Sequence, residues 1–141
     1  MVEPKIDAHH KVVTEQIVNF LCEKLSPKFI YLFGSFVKGN VRDDSDIDIA
    51  FFSEKAISSY EIFMLAQDLA SMVGREIDLV DLRQASTVLR AQIIGTGKPI
   101  YSSDDYFRAE FALRALKEYA LLNEERQVVI DSITERGRVY G

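Results

Sequence analysis

The run Phe29-Ile30-Tyr31-Leu32-Phe33, stopped by Gly34, is the strongest constraint on how this chain folds. Five consecutive apolar or aromatic residues leave no polar face, the pattern of a strand covered on both sides. From Asp46 to Phe52 the pattern becomes an alternation: Asp46, Asp48 and Ala50 point one way, Ile47, Ile49 and Phe51 the other. Glu76 to Asp81 alternates again, with Ile77 and Leu79 on one face and Glu76, Asp78 and Val80 on the other. Pro99-Ile100-Tyr101 is long enough only for a short edge strand.

Helical spacing fills the intervals. Val13, Ile17, Phe20, Leu21 and Leu25 recur at helical steps, predicting a helix from about Asp7 to Leu25 that Pro27 ends. Ser59 to Met72 carries Ile62, Phe63, Ala66, Leu69 and Ala70 at the same spacing, with Gly74 placed as a C-cap. Ser86 to Thr96 reads as a third helix, and everything after about Asp104 is helical in character. The expected fold class is α/β, of the α+β kind: a small mixed sheet flanked by helices. A C-terminal helical segment, about residues 104–136, need not all lie on that sheet. At 141 residues the chain is read as one domain, 1–141, with its core at about 29–101.

Charge and cysteine content narrow the function classes. A formal charge of −5 and a pI near 5.1 argue against sequence-independent binding of DNA or RNA, which depends on clustered Lys and Arg. A nucleotide bound by so acidic a chain needs a cation to help. The lone Cys22 shares the helical spacing of Val18 and Leu25 and is expected to be packing rather than chemistry. With no signal peptide and no apolar run approaching 18 residues, the expectation is a soluble, cytoplasmic protein without a membrane partner.

The chemistry concentrates where the first two strands meet. Gly34 and Ser35 close the first strand, ten residues follow, and Asp46-Ile47-Asp48 opens the second, a G-S-x10-D-x-D pattern. Alone, a Gly-Ser pair is a turn and an Asp-x-Asp a solvated surface pair; the strand-turn-strand setting joins them. A glycine at a strand end lets backbone N–H groups approach phosphate, and the Ser35 hydroxyl adds a donor. Two aspartates one residue apart on a strand lie on one face, about 6–7 Å apart, where both can reach magnesium. Two such carboxylates repel unless a cation sits between them. A third acid is expected from the next strand, where Glu76, Asp78 and Asp81 compete. Asp78 is preferred because it sits mid-strand, whereas Glu76 lies at the entrance and Asp81 at the exit, a place for a cap or salt bridge. Donors for a triphosphate together with metal-binding acids are what nucleotidyl transfer requires.

These residues resemble the DNA polymerase β nucleotidyltransferase superfamily, whose motif is h-G-[GS]-x(9–13)-D-h-[DE]-h followed by a later h-[DE]-h. Phe33-Gly34-Ser35, Asp46-Ile47-Asp48-Ile49 and Ile77-Asp78-Leu79 carry the match, over roughly residues 29 to 101. The small size and the run GSFVKGNVRDDSDIDIAFF are similar to the minimal nucleotidyltransferases (MNT), whose partners are HEPN-domain proteins. One departure is Lys38 where many relatives carry Arg before Gly39, which loses a bidentate phosphate contact.

The resemblance implies an antitoxin that transfers AMP from ATP, with Mg2+, to a tyrosine of a cognate HEPN ribonuclease toxin. ATP phosphates would rest on Gly34 and Ser35, and Asp46, Asp48 and Asp78 would be the metal-binding and catalytic carboxylates. A tyrosine hydroxyl, with a pKa near 10, needs Asp78 or the metal to assist its deprotonation. Two other readings stand beside this one: an antitoxin that acts by binding alone, and an enzyme acting on a small molecule of the aminoglycoside type. Only about forty residues follow Tyr101, little room for a small-molecule pocket.

Overall fold

A computed structural model describes residues 8–36 and 46–140. Helix α1 (Ala8–Leu25) leads into strand β1 (Phe29–Phe33), which runs into a 3-10 turn at Gly34–Phe36. Strand β2 (Ile47–Phe52), helix α2 (Ser59–Val73), strand β3 (Ile77–Asp81) and helix α3 (Thr87–Thr96) follow. Strand β4 (Lys98–Ser102) and helix α4 (Asp105–Tyr140) complete the order.

The four strands form one mixed sheet in the order β3-β2-β1-β4. β1 is antiparallel to both neighbours, while β2 and β3 are parallel, joined by the α2 crossover. β1 is an inner strand, which is why its sequence has no polar face. Ile30 and Leu32 join Ile47, Ile49, Phe51 and Leu79 in a core covered by Val13, Ile17 and Leu21 of α1 and Leu69 of α2. On the opposite face Phe29, Tyr31 and Ala50 pack with Leu82 and Ile93. There Phe107 and Phe111 of α4 close a ring cluster with Phe29 and Phe52, at centroid distances of 5.1 to 6.3 Å.

Local signals set the helix ends. Ser58 caps α2 by accepting the Glu61 N–H at 3.1 Å, and Gly74 ends it in the left-handed region at φ 72°. Ser86, expected inside the third helix, is its N-cap and accepts the Leu89 N–H at 3.2 Å. The edge strand is one residue longer at each end than Pro99–Tyr101. Cys22, expected in the packed interior, is half-buried.

α4 is a single helix of 36 residues, about 54 Å at 1.5 Å per residue. It runs past the expected end at 136. Ala115 is buried and Leu122 half-buried, but every side chain described from Asn123 to Thr134 is exposed, Val128, Val129, Ile130 and Ile133 included. The side chains of Val139 and Tyr140 lie outside the described residues. No helix among the described residues is long and apolar enough to cross a membrane.

Candidate active site

The end of β1, the start of β2 and the start of β3 lie side by side, so sheet pairing alone assembles the candidate residues. Asp48 sits opposite Phe33 across the β1–β2 ladder and opposite Asp78 across the parallel β2–β3 ladder. Asp46 immediately precedes β2, whose first residue, Ile47, donates its N–H to the Glu76 carbonyl at 2.9 Å. Because side chains alternate, Asp46 and Asp48 share the face of Ala50, away from the buried Ile47 and Ile49.

The electrostatics show the same convergence. The Asp48 carboxyl is pushed above the ordinary carboxylate value of 3.8, first by burial and then by the negative charges of Asp78 and Asp46. Those two side chains are exposed, whereas Asp48 is half-buried between them. Among the described residues no three acidic, histidine or cysteine side chains are already gathered tightly enough to ligate one ion together. The three aspartates share one end of the sheet and one field rather than a finished cage.

Gly34 explains the strand-end glycine. Its φ of 74° is open to glycine at little cost, and a Cβ there would overlap the Asp48 Oδ2. The turn backbone therefore lies directly against the central carboxylate. Ser35 follows in the 3-10 turn; its hydroxyl is outside the described residues, as are Lys38 and the remaining spacer up to Ser45. Phe36, which the motif spacing counts only as the first of ten intervening residues, is 1% exposed and belongs to the core. Its aromatic side chain directly after the Gly-Ser turn was the available signal.

Among the three competing acids, Asp78 is the one brought beside Asp48. Asp81 is buried at the far end of β3, where its Oδ1 accepts the Arg83 N–H at 2.9 Å, a turn-closing role. Glu76 is exposed before β3 and is not among the charges that raise Asp48. Two clefts, of about 500 and 350 Å3, lie away from this edge. The first is lined by Ile57, Ser58 and Arg83, the second by Phe52, Phe107 and Phe111.

A Gly-Ser turn is thus held against paired strand aspartates, with a third aspartate on the adjacent parallel strand. The family model described as polymerase beta, nucleotidyltransferase matches residues 15–106, and the chain belongs to that family. Within it, the chain is 41% identical over 108 residues to the protein adenylyltransferase MntA of Shewanella oneidensis, covering 75% of this chain and 76% of that protein. The MntA of Thermococcus cleftensis is 36% identical over 75 residues, covering 50% of this chain and 76% of that one. Among solved structures, a toxin-antitoxin crystallised with AMP-PNP superposes with a TM-score of 0.76 at 36% identity, covering 86% of this chain and 98% of the other. The MNT antitoxin of Shewanella oneidensis, solved with its tri-AMPylated HEPN toxin, gives 0.74 at 34% identity, with coverages of 88% and 98%. The α+β sheet with flanking helices is thus the nucleotidyltransferase fold of the MntA structures.

Proposed function

We propose that this chain is an antitoxin enzyme, a Mg2+-dependent protein adenylyltransferase that moves AMP from ATP to a tyrosine of a cognate HEPN ribonuclease toxin and thereby silences it. The observation that carries the reading is Asp48, half-buried against Gly34 with Asp46 and Asp78 pressing their charges on it. Such a group gains most from a bound divalent cation. Asp46, Asp48 and Asp78 would hold Mg2+, which when bound neutralises charge on the phosphates. The backbone at Gly34 and Ser35 would receive the triphosphate through N–H donors.

In the reaction the tyrosine oxygen attacks the α-phosphorus of ATP, forming the new O–P bond. The bond from that phosphorus to the bridging β-phosphate oxygen breaks, and pyrophosphate leaves with the electron pair. Asp78, exposed at the strand edge, accepts the phenolic proton. The AMP-PNP complex and the AMPylated toxin belong to relatives, and they support this assignment by similarity. The reaction would run in the cytoplasm, where ATP and the RNA that such a ribonuclease cleaves are both present.

Incubating the chain with its HEPN partner, Mg2+ and ATP labelled at the α-phosphate tests the proposal. Label should appear on a partner tyrosine and vanish when that tyrosine is replaced by phenylalanine. A partner inhibited without label would instead establish neutralisation by binding alone. Label passing to an aminoglycoside and not to protein would establish the small-molecule alternative.

A further inference from the structure

We infer that Phe36 is the positioning residue of the phosphate turn, fixed in place by His10 of α1 and Arg75 at the entry to β3. The inference rests on the reading of Gly34 and Ser35 as the triphosphate cradle. A three-residue 3-10 turn has almost no hydrogen bonding of its own, and Gly34 at φ 74° leaves its backbone free to pivot. Something outside the turn must hold it.

Phe36 supplies that hold. Its ring is buried and stacks on the His10 imidazole, with centroids 4.0 Å apart and planes 12° from parallel. His10 Nε2 also lies 3.3 Å from the Phe36 carbonyl. Since a carbonyl oxygen can only accept, Nε2 carries the hydrogen in that contact. One side chain of α1 therefore grips both ring and backbone at the last residue of the turn. The Arg75 guanidinium carbon lies over the same ring at 5.5 Å, a cation–π contact from the residue three positions before Asp78.

The turn is consequently bounded twice. Asp48 lies against Gly34 on one side, and the gripped ring holds the other end. Phe36 touches neither phosphate nor metal in this scheme; it acts by fixing where the Gly34 and Ser35 N–H groups point. A displacement of about 1 Å in such donors is enough to cost large factors in a nucleotide site.

The test measures ATP affinity by calorimetry in Mg2+ with the full-length chain, alongside thermal unfolding and the kcat and KM of AMP transfer. Phe36→Leu keeps apolar volume but removes the flat ring. It should raise the ATP Kd by about tenfold or more while the protein stays folded. His10→Ala should weaken ATP binding in the same direction, and His10→Phe, which restores the stack, should recover part of it. His10→Ala decides the matter if Phe36→Leu does not fold. A lowered unfolding midpoint with ATP Kd within about twofold of the parent in folded variants makes Phe36 a core filler and overturns the inference. If the parent itself fails to bind ATP with Mg2+, the nucleotidyltransferase reading falls first, so the two failures are distinguishable.

Discussion

Asp48 would carry opposing demands, since the carboxyl that the proposed reaction needs charged is the one that the fold prefers neutral. Its proton is held more tightly folded than unfolded. The associated stability is therefore fully present below the unfolded value of 3.8 and is lost as pH rises through the higher folded value. Asp48→Asn should accordingly unfold at or above the parent midpoint at neutral pH without divalent cation, and the gap should close below about pH 4. Adding Mg2+ should raise the parent midpoint and leave that of Asp48→Asn nearly still, as scanning calorimetry would show. In the labelled transfer assay Asp46→Asn and Asp48→Asn should each lose about 100-fold or more with the circular dichroism unchanged. A folded variant with near-parent activity would remove that residue from the metal site. Gly34→Ala is the complementary case. Its left-handed φ and the overlap with Asp48 Oδ2 should cost about 1–3 kcal/mol of stability in urea titration, together with ATP binding.

At the scale of elements, much of this site could be read from the chain because strand periodicity is short-range. The run from Phe29 to Phe33 marked β1 to the residue, and alternation put Asp46 and Asp48 on one face before any pairing was known. Gly74 ended α2 as a left-handed cap for the same local reason. Register was not legible. That Asp78 lies beside Asp48 follows from the parallel β2–β3 ladder, a contact across thirty residues that no local pattern encodes. The grip of His10 and Arg75 on Phe36 was invisible for the same reason, since it joins three segments far apart in the chain. The ladder makes a ranking prediction. Asp78→Asn should lose far more AMP transfer than Glu76→Gln, whose carboxylate is not among the charges that raise Asp48. Asp81→Ala should show its effect in the unfolding midpoint instead, because it leaves the Arg83 N–H without its acceptor. Equal activity losses at Asp78 and Asp81 would reassign the third carboxylate.

For the whole molecule, the sheet needs only the first part of α4. Phe107 and Phe111 pack on the β1–β2 face, Ala115 is buried, and from Asn123 to Thr134 the side chains stand in solvent. Removing everything after Asn123 should leave ATP affinity within about twofold of the parent while weakening capture of the HEPN partner by about tenfold or more in a pull-down titration. Undiminished capture would place the interface elsewhere. The same bare length has a consequence in time as well as in space. A helical stretch with no tertiary packing rests on propensity alone, and short helices of this kind are marginal in water. Amide hydrogens from Asn123 to Thr134 should therefore exchange with deuterium much faster than those of the packed turns around Phe111 and Ala115. If a partner seats on this stretch, its exchange should slow by orders of magnitude when the complex forms; if the rate is unchanged, the stretch stays solvated in the complex.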